Sequence, residues 1–351
     1  MNQGLFVDKP QSVAYMEVGD PELLADQVRI EVEFASIKHG TEFTVFSGES
    51  PFHGRRFDGQ SRLFVDKDPD DPESDSGIFV GNTVVGVVIE TGAAVTRVQK
   101  GERVYGYHSA VERAVLAQDN AHPLTPPMTA QDAVCIDPAT VAYAALRDAR
   151  ICLGDNVIVF GLGAIGLFLV QMLRLAGCTN ILAVDPIAKR RRLAEACGAT
   201  RVFDPTQVDV AVETRRVLGA GADIAIEASG NYKALHQSMR SVRMCARVVT
   251  LGYYHGKDTE LELGAEWFHN RLELICSMPH WGNPLRDYPL WDERRLVATV
   301  RQMFLERRLV TEGILDPIVD FADFSRAFMD IYHHPDRAIK LGIRIKGEDL
   351  A

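Results

Sequence analysis

The chain has 351 residues, more than twice the usual domain length, so two domains, each with its own core, are expected. With 46% hydrophobic and 25% charged residues and no repeat or low-complexity tract, it is neither a disordered nor a fibrous protein. A net charge of -10 argues against nucleic acid as a partner, because binding phosphates needs a clustered basic face.

The N-terminal stretch "MNQGLFVDKPQSVAYMEV" has neither a basic start nor an apolar run of signal-peptide length. The longest apolar run, "VIVFGLGAIGLFLVQML", carries regularly spaced glycines that suit a buried strand and helix better than a membrane span. No export signal, no membrane and a cytoplasmic location are the expectations. Up to about residue 137 short β-rich runs alternate with turns: "QVRIEVEFASI", "TVVGVVIETG", "ERVYGYH", "RAVLAQ". This reads as an irregular β domain with tight turns at Gly92 and Gly101. The Asp-, Pro- and Ser-rich segment from Ser50 to Gly77 reads as a long surface excursion. His53, Arg55 and Arg56 within it either close over a substrate or stay exposed.

From Pro138 the pattern changes to strands alternating with helices: "NVIVFG", "NILAVD", "RVFD", "ADIAIEAS", "ARVVTLGYY", "LELICSM". Short apolar strands separated by helical segments predict right-handed βαβ crossovers and a parallel sheet covered on both faces, a doubly wound α/β domain over 138–289. Near Trp291 the pattern turns helical and ends in "IKLGIRI", a strand with nothing to pair with in a parallel domain. Residues 290–351 are therefore assigned back to the first domain with 1–137. The six cysteines are scattered without a CxxC pair, which predicts free thiols.

Gly161, Gly163 and Gly166 have GxGxxG spacing immediately after a strand and at the opening of a helix. The first glycine makes the turn, the second lets backbone approach a pyrophosphate, and the third lets helix pack on strand. Leu162, Ala164 and Ile165 complete the loop, whose amides open the helix N-terminus toward phosphate. Asp185 ends the next strand, nineteen residues past Gly166. A carboxylate there accepts the ribose hydroxyls and repels a 2′-phosphate, which predicts NAD as the cofactor. Arg190 reads as a partner of the ribose or the adenine face, and the rest of "KRRR" as a solvated helix face. Gly252 and Tyr253, ending a late strand, fall where the switch-point rule puts the nicotinamide.

The order of a β-rich N-terminal domain, a dinucleotide domain and a returning C-terminal segment resembles the medium-chain dehydrogenase/reductase superfamily over essentially the whole chain. Its zinc-type alcohol and polyol branch, sorbitol and threonine dehydrogenases included, is the most similar. "HGTEFTVFSG" matches the family's CGTD loop, "GNTVVGVVIETGAAVTRVQKGERV" its GHE stretch, "DPATVAYAALRDARICLGDNV" its helix entry and "VFGLGAIGLF…AVD" its cofactor site. The resemblance implies a GroES-like irregular β-barrel for the catalytic domain, a Rossmann domain for NAD, and a homodimer or homotetramer.

It also shows departures. The positions that hold catalytic zinc in the family carry His39, Asn82, Thr83 and Asp137, and only His39 and Asp137 have ligating groups. Two ligands make a poor zinc site, and the cysteine lobe of the structural zinc is missing, so no metal is expected. Thr41 matches the family's proton-relay hydroxyl. Without zinc, His39 is either the general base or a hydrogen-bonded ring filling the cysteine's volume. Lys38 is either a cationic donor to the substrate oxygen or a solvated loop lysine, and Glu42 reads as an acceptor for backbone amides. Asp137 orients His39, accepts a substrate hydroxyl or caps its helix. Asn82, His280 and Trp281 are expected substrate contacts; for Trp281 the alternative is a core or subunit contact.

The expected function is NAD-dependent hydride transfer between nicotinamide and a secondary alcohol or ketone of a polyol, sugar or cyclitol-like small molecule, without catalytic zinc. The alternatives are an NADPH-dependent zinc-free reductase of the quinone or enoyl type and a catalytically silent NAD-binding protein.

Overall fold

A computed structural model of the chain describes residues 2–68, 77–255, 261–278 and 291–346. Two compact units emerge: Met1–Val134 with Leu315–Ala351, and Cys135–Ile314.

The first unit begins with β1 (Gln3–Lys9), β2 (Ser12–Glu17), β3 (Gln27–Ser36) and α1 (His39–Ser47). A hairpin of β4 (Arg55–Asp58) and β5 (Leu63–Asp66) follows, then β6 (Ile78–Phe79), β7 (Thr83–Thr91), β8 (Arg103–Tyr107), β9 (Arg113–Ala117), β10 (His122–Pro123) and the single turn α2 (Ala130–Ala133). In β3 the period of two is plain: Val28, Ile30, Val32 and Phe34 are fully buried while Arg29, Glu31 and Glu33 alternate with them. The excursion from Ser50 is not structureless, since β4 and β5 pair antiparallel within it. His53, Arg55 and Arg56 are exposed there.

The second unit contains α3 (Ile136–Asp148), β11 (Asn156–Phe160), α4 (Ala164–Leu175), β12 (Asn180–Val184), α5 (Ala188–Cys197), β13 (Arg201–Phe203) and α6 (Val210–Leu218). It continues with β14 (Ala222–Glu227), α7 (Tyr232–Ser241), β15 (Val242–Thr250), α8 (Glu266–His269), β16 (Glu273–Cys276) and α9 (Glu293–Leu305). Its six strands run parallel in the order β13-β12-β11-β14-β15-β16. This is the doubly wound α/β fold, with the order reversing between β11 and β14. Ile158, Leu182, Ala225 and Val248 are fully buried between the helical layers, as two-sided coverage requires.

The return to the first unit comes later than residue 290. Helix α9 belongs to the second unit, where Leu296, Val300 and Phe304 are buried and Phe304 meets Phe168 at 5.8 Å. Its apolar stripe needs a helical partner, and α3 and α4 supply one. The chain re-enters the first unit with β17 (Leu315–Asp320), α10 (Phe324–His333) and β18 (Lys340–Arg344). Strand β18 runs antiparallel to β3, with Gly342 opposite Ser36, and parallel to β17. All six cysteines are free thiols. Among the described residues no helix is long and apolar enough to cross a membrane.

Candidate cofactor and active site

In the second unit the glycine loop joins β11 to α4. Gly161 has φ +87°, and a Cβ there would meet Ser229 at 2.8 Å, so only glycine makes this turn without strain. A Cβ on Gly166 would stand 1.9 Å from the Gly161 carbonyl oxygen, which shows how closely helix packs on turn. Gly163, the N-cap of α4, has open space in front of it. A bulky anion can therefore come close to the backbone where the first-turn amides of Ala164, Ile165 and Gly166 are directed.

Asp185 follows β12 and is 3% exposed. Its Oδ2 accepts the Leu162 amide at 2.8 Å and its Oδ1 accepts that of Ile187 at 2.8 Å. Each carboxylate oxygen keeps a second acceptor position, so the group that shapes the glycine loop still has capacity for a ribose diol. Arg190 Nη1 lies 3.7 Å from Asp185 Oδ2. Arg191 is not a solvated residue: it donates to the Asp185 carbonyl at 2.6 Å and pairs with Asp204 at 2.9 Å.

At the C-terminal ends of β14 and β15 the structure shows a cluster that the sequence reading passed over. Glu227 is fully buried. Its two oxygens accept the Ser229 amide at 2.7 Å, the Gly230 amide at 3.1 Å, the Ser229 hydroxyl and the Tyr254 hydroxyl. Burial pushes the Glu227 carboxyl above its ordinary range and raises the Tyr254 phenol, which also faces the Glu227 charge. Gly252 lies against Gly230, where a Cβ would meet the Gly230 amide nitrogen at 2.1 Å. Tyr253, beside it, is 39% exposed. The sequence did carry a signal for this cluster: a glutamate ending an otherwise apolar strand, "ADIAIE".

Asp137 lies in the first turn of α3 and is buried. It is not the helix cap: that position belongs to Cys135, which makes no side-chain capping bond.

In the first unit, β3 runs into Ile37 and Lys38 and then into α1. Lys38 is the N-cap and His39 the first helical residue. The His39 ring stacks on Phe43 with centroids 5.2 Å apart, and its Nε2 accepts the Leu341 amide at 3.1 Å. Buried Lys340 donates to the Ile37 carbonyl at 2.7 Å. Glu42 fills the acceptor role expected of it: Oε2 takes the Lys38 amide at 3.0 Å and Oε1 the Gly81 amide at 2.8 Å. Thr41 is exposed on the same turn. Asn82 donates its amide N–H to Ser36 at 2.9 Å and its side-chain amide to Thr83 Oγ1 at 3.3 Å. His280 and Trp281 lie outside the described residues. A separate cavity of about 330 Å³, between Lys9, Val45, His53 and Lys67, contains none of the expected catalytic residues.

Over 350 residues the chain is 34% identical to D-guloside 3-dehydrogenase of Escherichia coli strain K12, covering 97% of this chain and 99% of that one. It belongs to the medium-chain dehydrogenase/reductase superfamily. The family described as zinc-binding dehydrogenase matches residues 164–280. Two solved structures share the fold: 2R,3R-butanediol dehydrogenase from Bacillus subtilis, with TM-score 0.77, 19% identity and coverage of 99% of this chain and 100% of that one; and galactitol-1-phosphate dehydrogenase from Escherichia coli, with TM-score 0.77, 20% identity and coverage of 98% and 100%. The first unit is thus the GroES-like domain of this superfamily and the second its Rossmann domain.

The residues of this dehydrogenase fit a dinucleotide and fit a metal badly. Glycine loop and Asp185 are joined by the bond from the Leu162 amide, beside the open N-terminus of α4. At the positions of the family's zinc ligands, His39 Nε2 already accepts a backbone N–H, and Asn82 and Thr83 bond to each other. Among the described residues no three His, Cys, Asp or Glu side chains come together as a metal cage.

Proposed function

We propose that this dehydrogenase interconverts a secondary alcohol and its ketone on a polyol, sugar or cyclitol-like substrate, with NAD as cofactor and without catalytic zinc. The observation that carries the reading is the end-to-end identity of 34% to an enzyme named for a guloside. Asp185 supports NAD over NADP, because a buried carboxylate repels a 2′-phosphate. The His39, Asn82 and Thr83 arrangement supports the zinc-free mechanism.

Bound nicotinamide supplies the acceptor for the hydride lost from the carbinol carbon. The chain's own residues do the rest. The α4 N-terminus and glycine loop hold the pyrophosphate, and Asp185 orients the adenosine ribose. Glu227 fixes the two loops that carry Gly230 and Gly252. The hydroxyl proton leaves by way of Thr41, an exposed residue. One of the two edge strands of the Rossmann sheet, β16 with Leu274 42% exposed, offers a face for a second copy in the homodimer or homotetramer.

The test is NADH formation by purified protein, dialysed against a chelator, across polyols, sugars, glycosides and cyclitols, with NAD and NADP compared. Turnover with NAD on a polyhydroxy substrate is expected. NADPH-linked reduction of quinones or enones would move the chain to the other branch, and tight NAD binding with no turnover would make it a silent binder.

A further inference from the structure

We infer that the first unit carries a binding site for a small organic monoanion with an apolar body, in the cavity bordered by the end of β1, the end of α1 and the base of the β4–β5 hairpin. The site uses none of the residues assigned above to hydride transfer and does not rest on that reading.

The cavity has a volume of about 330 Å³ and is walled by Val7, Pro10, Val45, Phe52 and Ile78. Size and lining match small-molecule sites, which are concave and mostly apolar. The frame is fixed before any ligand arrives. Val7 stands opposite Ile78 in the antiparallel pairing of β1 with β6, and the Gln11 amide donates to the Phe46 carbonyl at 2.7 Å. Gly48 ends α1 at φ +79°, and a Cβ there would meet Pro10 Cγ at 2.9 Å, so the helix end and the turn after β1 are in direct contact. On the hairpin side the Lys67 amide donates to the Gly54 carbonyl and the His53 amide to the Ser50 carbonyl, both at 2.9 Å.

Charge gathers at the mouth. Lys9, His53 and Lys67 also line the cavity, and they come from three separate stretches of chain. A lysine against an apolar wall covers it with its methylene stem and carries its ammonium out to water. Lys9 and His53 are exposed, and among the described residues neither is paired with a carboxylate. The one carboxylate on the lining is Asp8. The complementary ligand therefore puts an apolar body inside and a single negative charge at the mouth. Burial of the body supplies affinity, and the cations select the sign of the head group. A second negative charge would face Asp8, which disfavours a dianion.

The probes are benzoate, neutral benzyl alcohol and the dianion phthalate, each added to the full chain without cofactor. Methyl NMR on isoleucine-labelled protein follows Ile78, whose signal is identified by its loss in Ile78→Val. That methyl is expected to move with benzoate at a Kd of about 1 mM or below. Benzyl alcohol and phthalate are expected to bind roughly fivefold or more weakly. Lys9→Met combined with His53→Gln, both at exposed positions, is expected to reduce benzoate to the level of benzyl alcohol with the melting temperature unchanged. An Ile78 methyl that ignores benzoate at about 10 mM would overturn the inference. So would equal affinity for benzoate and benzyl alcohol, phthalate binding as tight as benzoate, or benzoate binding that survives the double substitution.

Discussion

Glu42 joins two segments of the first unit by accepting the Gly81 amide at 2.8 Å and the Lys38 amide at 3.0 Å. It does so while 5% exposed, and burial outweighs the two amides and the nearby Lys340 and Lys38 charges. Its pKa is pushed from 4.5 up to about 7. A carboxyl with a raised folded-state pKa holds its proton more tightly in the folded chain, so its contribution is full below pH 4.5 and is lost as the pH rises through about 7. Up to about 3 kcal/mol is involved. Unfolding in denaturant at pH 5 and pH 8 should show the wild-type advantage over Glu42→Gln shrinking at the higher pH. A difference that stays constant would mean that Glu42 titrates normally.

Asp185 has two tasks, shaping the glycine loop through the Leu162 amide and receiving the ribose. Asp185→Asn keeps an acceptor for that amide but gives up the negative charge. NAD affinity should fall by roughly 10–100-fold, the worth of a charged hydrogen bond. NADP affinity should fall less or rise, with Arg190 close by. Calorimetric titration with both cofactors measures this, and an unchanged NAD to NADP ratio would remove Asp185 from the selectivity argument.

Gly163 and Gly166 should respond to alanine in different ways. Gly163→Ala adds a methyl into open space, so the melting temperature should hold while NAD affinity drops by tenfold or more, because the pyrophosphate would occupy that space. Gly166→Ala drives a methyl against the Gly161 carbonyl and should cost about 1–3 kcal/mol of stability even without cofactor. Thermal unfolding with and without NAD separates the two. Equal melting temperatures for both variants would contradict the packing account.

Glu227 accepts from four donors, a demand met by its ionised form. Tyr254→Phe removes one donor and should cost about 1 kcal/mol. Glu227→Gln exchanges an acceptor oxygen for an NH₂ facing donors and should cost more, with weaker NAD binding as Gly230 and Gly252 loosen. Denaturant unfolding and cofactor titration on both variants would show it, and a Glu227→Gln protein as stable as Tyr254→Phe would count against the cluster.

The Rossmann unit is legible in the sequence because its signals are local. Glycine spacing dictates the turn at Gly161, and Asp185 follows at a fixed distance. Strands such as "NILAV" are short apolar runs between helical ones. The hairpin of β4 and β5 is not legible, since Arg55, Arg56 and Asp58 give it no buried face to set a period. The anchoring of Lys340 and of His39 is also hidden, for a different reason. Their partners, the Ile37 carbonyl and the Leu341 amide, stand 303 and 302 residues away and are backbone groups, which no residue type announces. The end of the Rossmann unit is misread near residue 290 because an amphipathic helix does not say which unit covers its apolar stripe.

Strand β3 is complete by Ser36, yet its neighbour β18 begins only at Lys340. On a ribosome that interval is most of the translation time. The Rossmann unit, contiguous from Cys135 to Ile314, has all its strands available before the N-terminal unit can close. Until residues 340–344 emerge, the Phe34–Ser36 end of β3 lacks its β18 partner and the His39 ring lacks the Leu341 amide. A nascent chain halted there would hold a finished nucleotide fold attached to an unfinished barrel.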